Sequence, residues 1–419
     1  MSSLAFSSLF VGFLILTLLL RFWLSSRHIR HIIANRSDVP AQFSEKIPLS
    51  AHQKAADYTV AKTKFGLLML VVGTATLIGF TLLGGLQWLA VAILNRTGAG
   101  MTYQIGLIVA FGIISGLIDL PFDYYKQFVL EERFGFNKMS LGLFIVDMIK
   151  GTLLGAAIGL PLLWVVLTLM QNAGALWWLY AWIVFSAFQL LMLVLYPSVI
   201  APLFNKFTPL EDAGLRQRIE NLMQRVGFAS SGLFVMDGSK RSAHGNAYFS
   251  GFGAAKRIVF FDTLLARLAP EEIEAVLAHE LGHFKLKHIV KRIVVMFAVS
   301  LAFMALLGYL KTQLWFFTGL GVDPMIGAGN DAMALLLFML ALPVFTFVIS
   351  PLTSISSRKH EFEADAFAAQ HTNPHHLIAA LVKLYEDNAS TLTPDPLHSA
   401  FYDSHPPATL RIQHLIAAS

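Results

Sequence analysis

The run His279-Glu280-Leu281-Gly282-His283 sets two imidazoles four positions apart, with a carboxylate beside the first. On a helix, residues four apart share a face, so both rings can point at one zinc ion. Glu280 sits one step round from His279. From there it can reach a water at the metal without being a ligand, which is what a general base needs. Metal-assisted hydrolysis is the chemistry this trio suits. The alternative is an amphipathic helix that happens to carry two histidines and a glutamate, with no metal. The chain has no Cys, so a thiolate zinc site and a disulfide framework are both excluded, and any metal must use His, Glu or Asp.

The elements that would position these residues can be read around them. The motif helix is expected to begin at Pro270, a good first-turn residue, followed by Glu271 and Glu272 at the positive end of the helix dipole. Ile273, Val276, Leu277, Leu281 and Phe284 form its apolar stripe. It reads on without a break through Lys285-Leu286-Lys287-His288 into a long apolar run, which puts the histidines close to a membrane surface. Upstream, Phe204 to Leu210 reads as a loop and Glu211 to Val226 as an amphipathic helix ended near Gly227. Leu233–Met236, Asn246–Phe252 and Arg257–Phe261 read as three short strands, a small β-meander.

Further possible partners lie after residue 350. Ser357 to Ala368 is polar and helical, with Glu361 and Asp365 four apart on one face. The pair reads either as a solvated acidic face or as a third metal ligand with a carboxylate that orients a ligand histidine. The tail carries His398, His405 before Pro406-Pro407, and Arg411.

Composition gives the setting. Of the 419 residues, 56% are hydrophobic and only 14% charged, where soluble chains carry about 25%. Mean hydropathy is +0.62. Seven runs approach the ~20 apolar residues of a membrane span: 4–24, 66–94, 104–121, 141–170, 176–199, 289–311 and 332–350. The first lacks a basic flank and a cleavage site, so it reads as a retained span. The Gly-rich second is expected to tilt or kink, and Pro343 to bend the last. Lys and Arg crowd segments 25–65 and 122–140, whereas 95–103 holds only Arg96 and 171–175 none. The odd connections are therefore expected in the cytoplasm and the N-terminus outside, which places 200–288 and the tail on one side. The net charge of +5 then reflects topology rather than a nucleic-acid partner. Asp119, Asp123, Asp147, Lys150 and Gln189 fall within or at the ends of spans, either as buried pairs such as Asp147 with Lys150 or as the lining of a water-filled chamber.

These residues together resemble the type I CAAX prenyl endopeptidases, integral-membrane zinc proteases. The resemblance spans essentially the whole chain. It rests on Tyr196-Pro197 with Pro202 to Phe207, Asn246-Ala247-Tyr248-Phe249 with Gly251-Phe252, and Arg257-Ile258-Val259 leading to Asp262-Thr263-Leu264. It also rests on His279 to His283, Glu361-Phe362 with Ala364-Asp365, and His405-Pro406-Pro407. It implies a mainly α polytopic fold with seven helices enclosing a chamber, plus a small cytoplasmic α+β peptidase region. The division is 1–200 for five spans and 201–419 for the rest. It implies one zinc ion on His279, His283 and Glu361, with Glu280 and Asp365 catalytic. Asn246, His405 and Arg411 then resemble residues that contact the substrate backbone and the developing oxyanion. The implied partners are a peptide or protein substrate, lipidated or membrane-bound, and the bilayer, with the chain a monomer. The compact connections, and an end at Ile416-Ala417-Ala418-Ser419 without a retrieval signal, resemble bacterial members and an inner-membrane location. A broad-specificity quality-control protease and a cation transporter are the competing functions. No internal repeat supports the transporter.

Overall fold

A computed structural model describes residues 1–250, 256–325, 327 and 329–417 of the chain. Seven of its helices are long and apolar enough to cross a membrane: Ser3–Ala34, Leu49–Phe80, Met101–Glu131, Leu141–Asn172, Gly174–Phe204, His288–Leu310 and Asp331–His371. We refer to them as spans one to seven. Their outward faces are rich in exposed Leu, Ile and Val, as lipid-facing surfaces are. They share a core that includes Phe10, Tyr103, Leu107, Leu167, Phe316 and Leu337.

Three span boundaries differ from the sequence reading. Span two begins at Leu49 and stops at Phe80, and Gly84, at φ 77°, turns the chain into a separate helix, Gly85–Thr97. The apolar run 66–94 thus crosses a glycine turn, and hydropathy alone cannot separate two apolar helices joined there. The motif helix, Pro270–Lys285, does not run into span six. Lys287 takes a left-handed φ of 58° and resets the helix direction before His288. Four residues beyond Pro343, span seven tightens into a 3₁₀ turn at Phe347–Ile349, and the helix resumes as Ser350–His371.

Between spans five and six the described residues form a four-stranded sheet in the order β1-β2-β4-β3: β1 Phe207–Pro209, β2 Gly232–Met236, β3 Ala247–Ser250 and β4 Arg257–Phe261. It is mixed rather than a meander. β2 and β4 run parallel, with Leu233 opposite Ile258, while β1 and β3 lie antiparallel on the two edges. β1 falls where the sequence reads a loop. It is three residues long and contains a proline, so strand propensity cannot reveal it. Of the residues that carry the family resemblance, Gly251 and Phe252 lie outside the described residues.

The motif helix packs between this sheet and three later helices, Ser350–His371, Pro374–Asp387 and Ala408–Ala417. Ile273, Leu277 and Leu281 are fully buried there, each worth about 1.5–3 kcal/mol, while Val276 and Phe284 are half-buried at the margin. The helix Ala213–Arg225 is tied to the motif helix by Arg218 on Glu271 and Glu274 and by Arg225 on Glu274. The expected Asp147–Lys150 pair does not form. Asp147 accepts two hydrogen bonds from Arg241, at 2.8 and 3.1 Å, and Lys150 donates to the Leu203 carbonyl. Arg241 arrives from a loop 94 residues away, a partner that local spacing could not identify.

Candidate metal centre

Two helices cross to build the centre. One turn of the motif helix presents His279 and His283. The helix Ser350–His371 presents Glu361 and, one turn on, Asp365. The crossing is close because residue 282 is glycine. A Cβ there would stand 3.1 Å from both the Cα of Ala364 and the Cβ of Phe367. Gly282 therefore acts by lacking a side chain, which lets Glu361 reach the histidines.

His279 Nε2 and His283 Nε2 lie 3.2 Å apart. Glu361 Oε2 is 3.4 Å from the first, and Oε1 is 3.3 Å from the second. One ring nitrogen of each histidine and a carboxylate oxygen of Glu361 lie within 4.8 Å of one another, and Glu361 Oε2 is buried without a hydrogen bond. A buried carboxylate oxygen left unbonded is costly, and a cation in this triangle would satisfy it. The donor set, two neutral imidazoles and a carboxylate, suits a metal ion.

The ligands are held from behind. Asp365, fully buried, lies 2.8 Å from His279 Nδ1, which leaves Nε2 free to face the triangle. Arg411 donates to Asp365 at 2.8 and 2.6 Å and is itself buried. Burial lowers the His279 pKa, but hydrogen bonds to Asp365 and Glu361 outweigh it, so the imidazole is pushed up to about 9 in the metal-free protein. His405 stands on the open side, 3.4 Å from Glu361 Oε1 with a side chain 61% exposed, and Ser404 Oγ lies 3.0 Å from its Nδ1.

The expected site residues thus take different stations. His279, His283, Glu361, Asp365, His405 and Arg411 come together. Glu280 is partly exposed, close enough for its charge to act on His405. Arg411, expected to contact substrate, donates to Asp365 and sets its Nη1 3.7 Å from Glu361 Oε2. Asn246 stands at the head of edge strand β3, its carbonyl accepting from Phe261 N–H at 3.0 Å. Two neighbours escaped the sequence reading. Tyr385 lines the same cavity of about 610 Å³ as His405 and is close to Glu361 and Asp365. His288, buried behind His283, looked like the start of a span. Each is a single residue in an otherwise ordinary helix pattern, with no spacing signal of its own.

Two family models match the chain in succession from residue 28 on. Residues 28–206 match the model described as "CAAX prenyl protease N-terminal, five membrane helices", and residues 209–419 match peptidase family M48. The chain is 36% identical to the CAAX prenyl protease 1 homolog of Arabidopsis thaliana, over 96% of each chain. It is 36% identical to the CAAX prenyl protease 1 of Saccharomyces cerevisiae, over 91% of this chain and 89% of that one. It is 32% identical to the Homo sapiens homolog over 92% and 90%. The crystal structure of S. mikatae Ste24p superposes with a TM-score of 0.90 at 32% identity, covering 98% of this chain and 99% of that one.

Proposed function

The chain belongs to peptidase family M48 and is an integral-membrane metalloendopeptidase; we propose that it holds one zinc ion on His279, His283 and Glu361 and processes CAAX-type C-termini. The observation that carries the metal assignment is the ligand triangle. Zinc–nitrogen and zinc–oxygen bonds of about 2.0–2.2 Å give tetrahedral edges of roughly 3.3–3.5 Å. Here the two imidazole nitrogens stand 3.2 Å apart, while Glu361 sets Oε2 3.4 Å from the first and Oε1 3.3 Å from the second, spacings close to those edges. Bound there, zinc would supply Lewis-acid polarisation of the scissile carbonyl and lower the pKa of water.

The chain's own residues do the rest. Glu280 takes a proton from the attacking water and returns it to the leaving amine. His405, on the open side of the triangle, donates to the developing oxyanion, a role typically worth about 3 kcal/mol of barrier. Arg411 supports that charge from behind through Asp365, and Asp365 holds His279 in the ligand tautomer. Asn246 opens edge strand β3, and an extended peptide pairs with such an edge through its main chain.

The substrate class comes from the relatives, which are named for CAAX prenyl proteolysis. An apolar cleft of about 360 Å³ between spans one, two and seven shares Arg21, Gly66 and Leu70 with the polar cavity at His405. Apolar and polar compartments side by side suit a lipidated peptide. Loop charge supports a cytoplasmic face for the odd connections and hence for the centre. The division into a membrane region at 1–200 and a peptidase region at 201–419, acting as a monomer, accompanies this reading. The compact connections support a bacterial inner membrane, although the relatives compared are eukaryotic.

Two substitutions test the roles. Glu280→Gln should keep one zinc per chain and lose cleavage, and wild-type turnover in that protein would contradict the base assignment. Glu361→Ala should lose the metal, measured by elemental analysis of purified protein.

A further inference from the structure

Asp365 lies 2.8 Å from His279 Nδ1, but among the described residues no carboxylate is hydrogen-bonded to His283 Nδ1. The Nδ1 of His283 lies 3.1 Å from the Nδ1 of His288 instead. His288 is 2% exposed, and its Nε2 lies 2.8 Å from Glu363 Oε2. We propose that Glu363 and His288 are positioning residues, a hydrogen-bonded chain that fixes the tautomer and ring orientation of His283 for metal binding.

His283 Nε2 faces His279 Nε2 and Glu361 Oε1, so as a ligand it must present a lone pair there. Its proton then sits on Nδ1 and needs an acceptor. The atom in reach is His288 Nδ1, which accepts only if the His288 proton is on Nε2. A carboxylate can only accept, so Glu363 holds the proton at that nitrogen. Glu363 thus dictates every proton position from the edge of the site to the ligand atom. His288 cannot swing away, because it stacks on His360 with ring centres 4.1 Å apart. The two ligand histidines are then supported in parallel, His279 by Asp365 directly and His283 by Glu363 through His288.

The donor atoms of His288, His360 and Glu363 are also close enough to hold a second cation. The surroundings oppose it. Lys359 lies 3.9 Å from Glu363, and Lys291 and Arg292 stand near His360. An ion there would also take the atoms that the chain of hydrogen bonds uses.

The inference rests on the metal assignment proposed above. It is tested with the purified full-length chain in detergent, by competing bound zinc against a chelator and by elemental analysis. Glu363→Gln keeps an acceptor oxygen and should hold zinc within about threefold of wild type. Glu363→Ala and His288→Phe should weaken zinc binding about 10–100-fold, as loss of such a supporting residue typically does. Glu363 is half-buried at the edge of the site, so its two variants decide the matter even if His288→Phe does not fold. Equal zinc affinities for Glu363→Gln and Glu363→Ala would overturn the proposal, as would a second zinc that Glu363→Ala removes. Full zinc content in Glu361→Ala is a separate result, which would overturn the metal assignment itself.

Discussion

Each ligand at the centre depends on a group behind it, and this gives a pH dependence. In the metal-free protein His279 carries a proton up to about pH 9, because Asp365 and Glu361 outweigh burial. A raised pKa means that the charged His279 stabilises the metal-free fold fully below its unfolded value of about 6.5, an effect lost as pH rises through about 9. A metal must displace that proton, so the sign for metal uptake is opposite. Apparent zinc affinity should rise about tenfold per pH unit below 9 from this proton alone, and level off above it. Titration with a buffered zinc indicator checks this, and an affinity already flat from pH 7 would contradict it. In the sequence, His279, Glu280 and His283 were legible from spacing alone. Glu361 and Asp365 were ambiguous until the family resemblance decided them, since an i,i+4 acidic pair is also an ordinary solvated face. Tyr385, His288 and Glu363 gave no signal, because their roles exist only once two helices cross.

The crossing of the motif helix with Ser350–His371 decides whether the ligands meet. Gly282 sits at that crossing, where a methyl group would press to 3.1 Å from Ala364 Cα and Phe367 Cβ. Gly282→Ala should push the helices apart by a few tenths of an ångström, cost about 1–3 kcal/mol by overpacking, and weaken metal retention. A variant that melts and holds zinc like wild type would show that the contact relaxes freely. Apolar periodicity and caps located the helix Ala213–Arg225 and the start of Pro270–Lys285 well, because burial and the start signals agree there. Sequence reasoning failed where a single backbone angle overrides pattern, at Gly84, which splits an apolar run, and at Lys287, which separates the motif helix from span six. It also failed for β1 and for the parallel β2–β4 pairing, since strand order is a long-range choice that no local pattern encodes.

Seven membrane-crossing helices and a peptidase region built from both sides of two of them make one machine, and its function depends on which way it faces. The chain lacks cysteine, so single cysteines report topology without background. Arg96→Cys should react with a membrane-impermeant maleimide in intact cells, and Lys138→Cys only after permeabilisation. The reverse pattern would invert the proposed orientation. Hydropathy gave seven spans because bilayer thickness fixes helix length. Whether Asp119, Asp123 and Gln189 face water was not legible, since hydropathy does not say which face of a helix meets water. The central claim is that this centre cuts near the C-terminus of a CAAX-type substrate. The most direct measurement is mass-spectrometric mapping of cleavage sites on farnesylated CAAX peptides mixed with unmodified membrane-protein fragments, with the Glu280→Gln protein as blank. The account predicts zinc-dependent cuts at the C-terminal side of the prenylated cysteine, absent from the blank. Cuts scattered through the unmodified fragments, with the farnesylated peptides left whole, would contradict it.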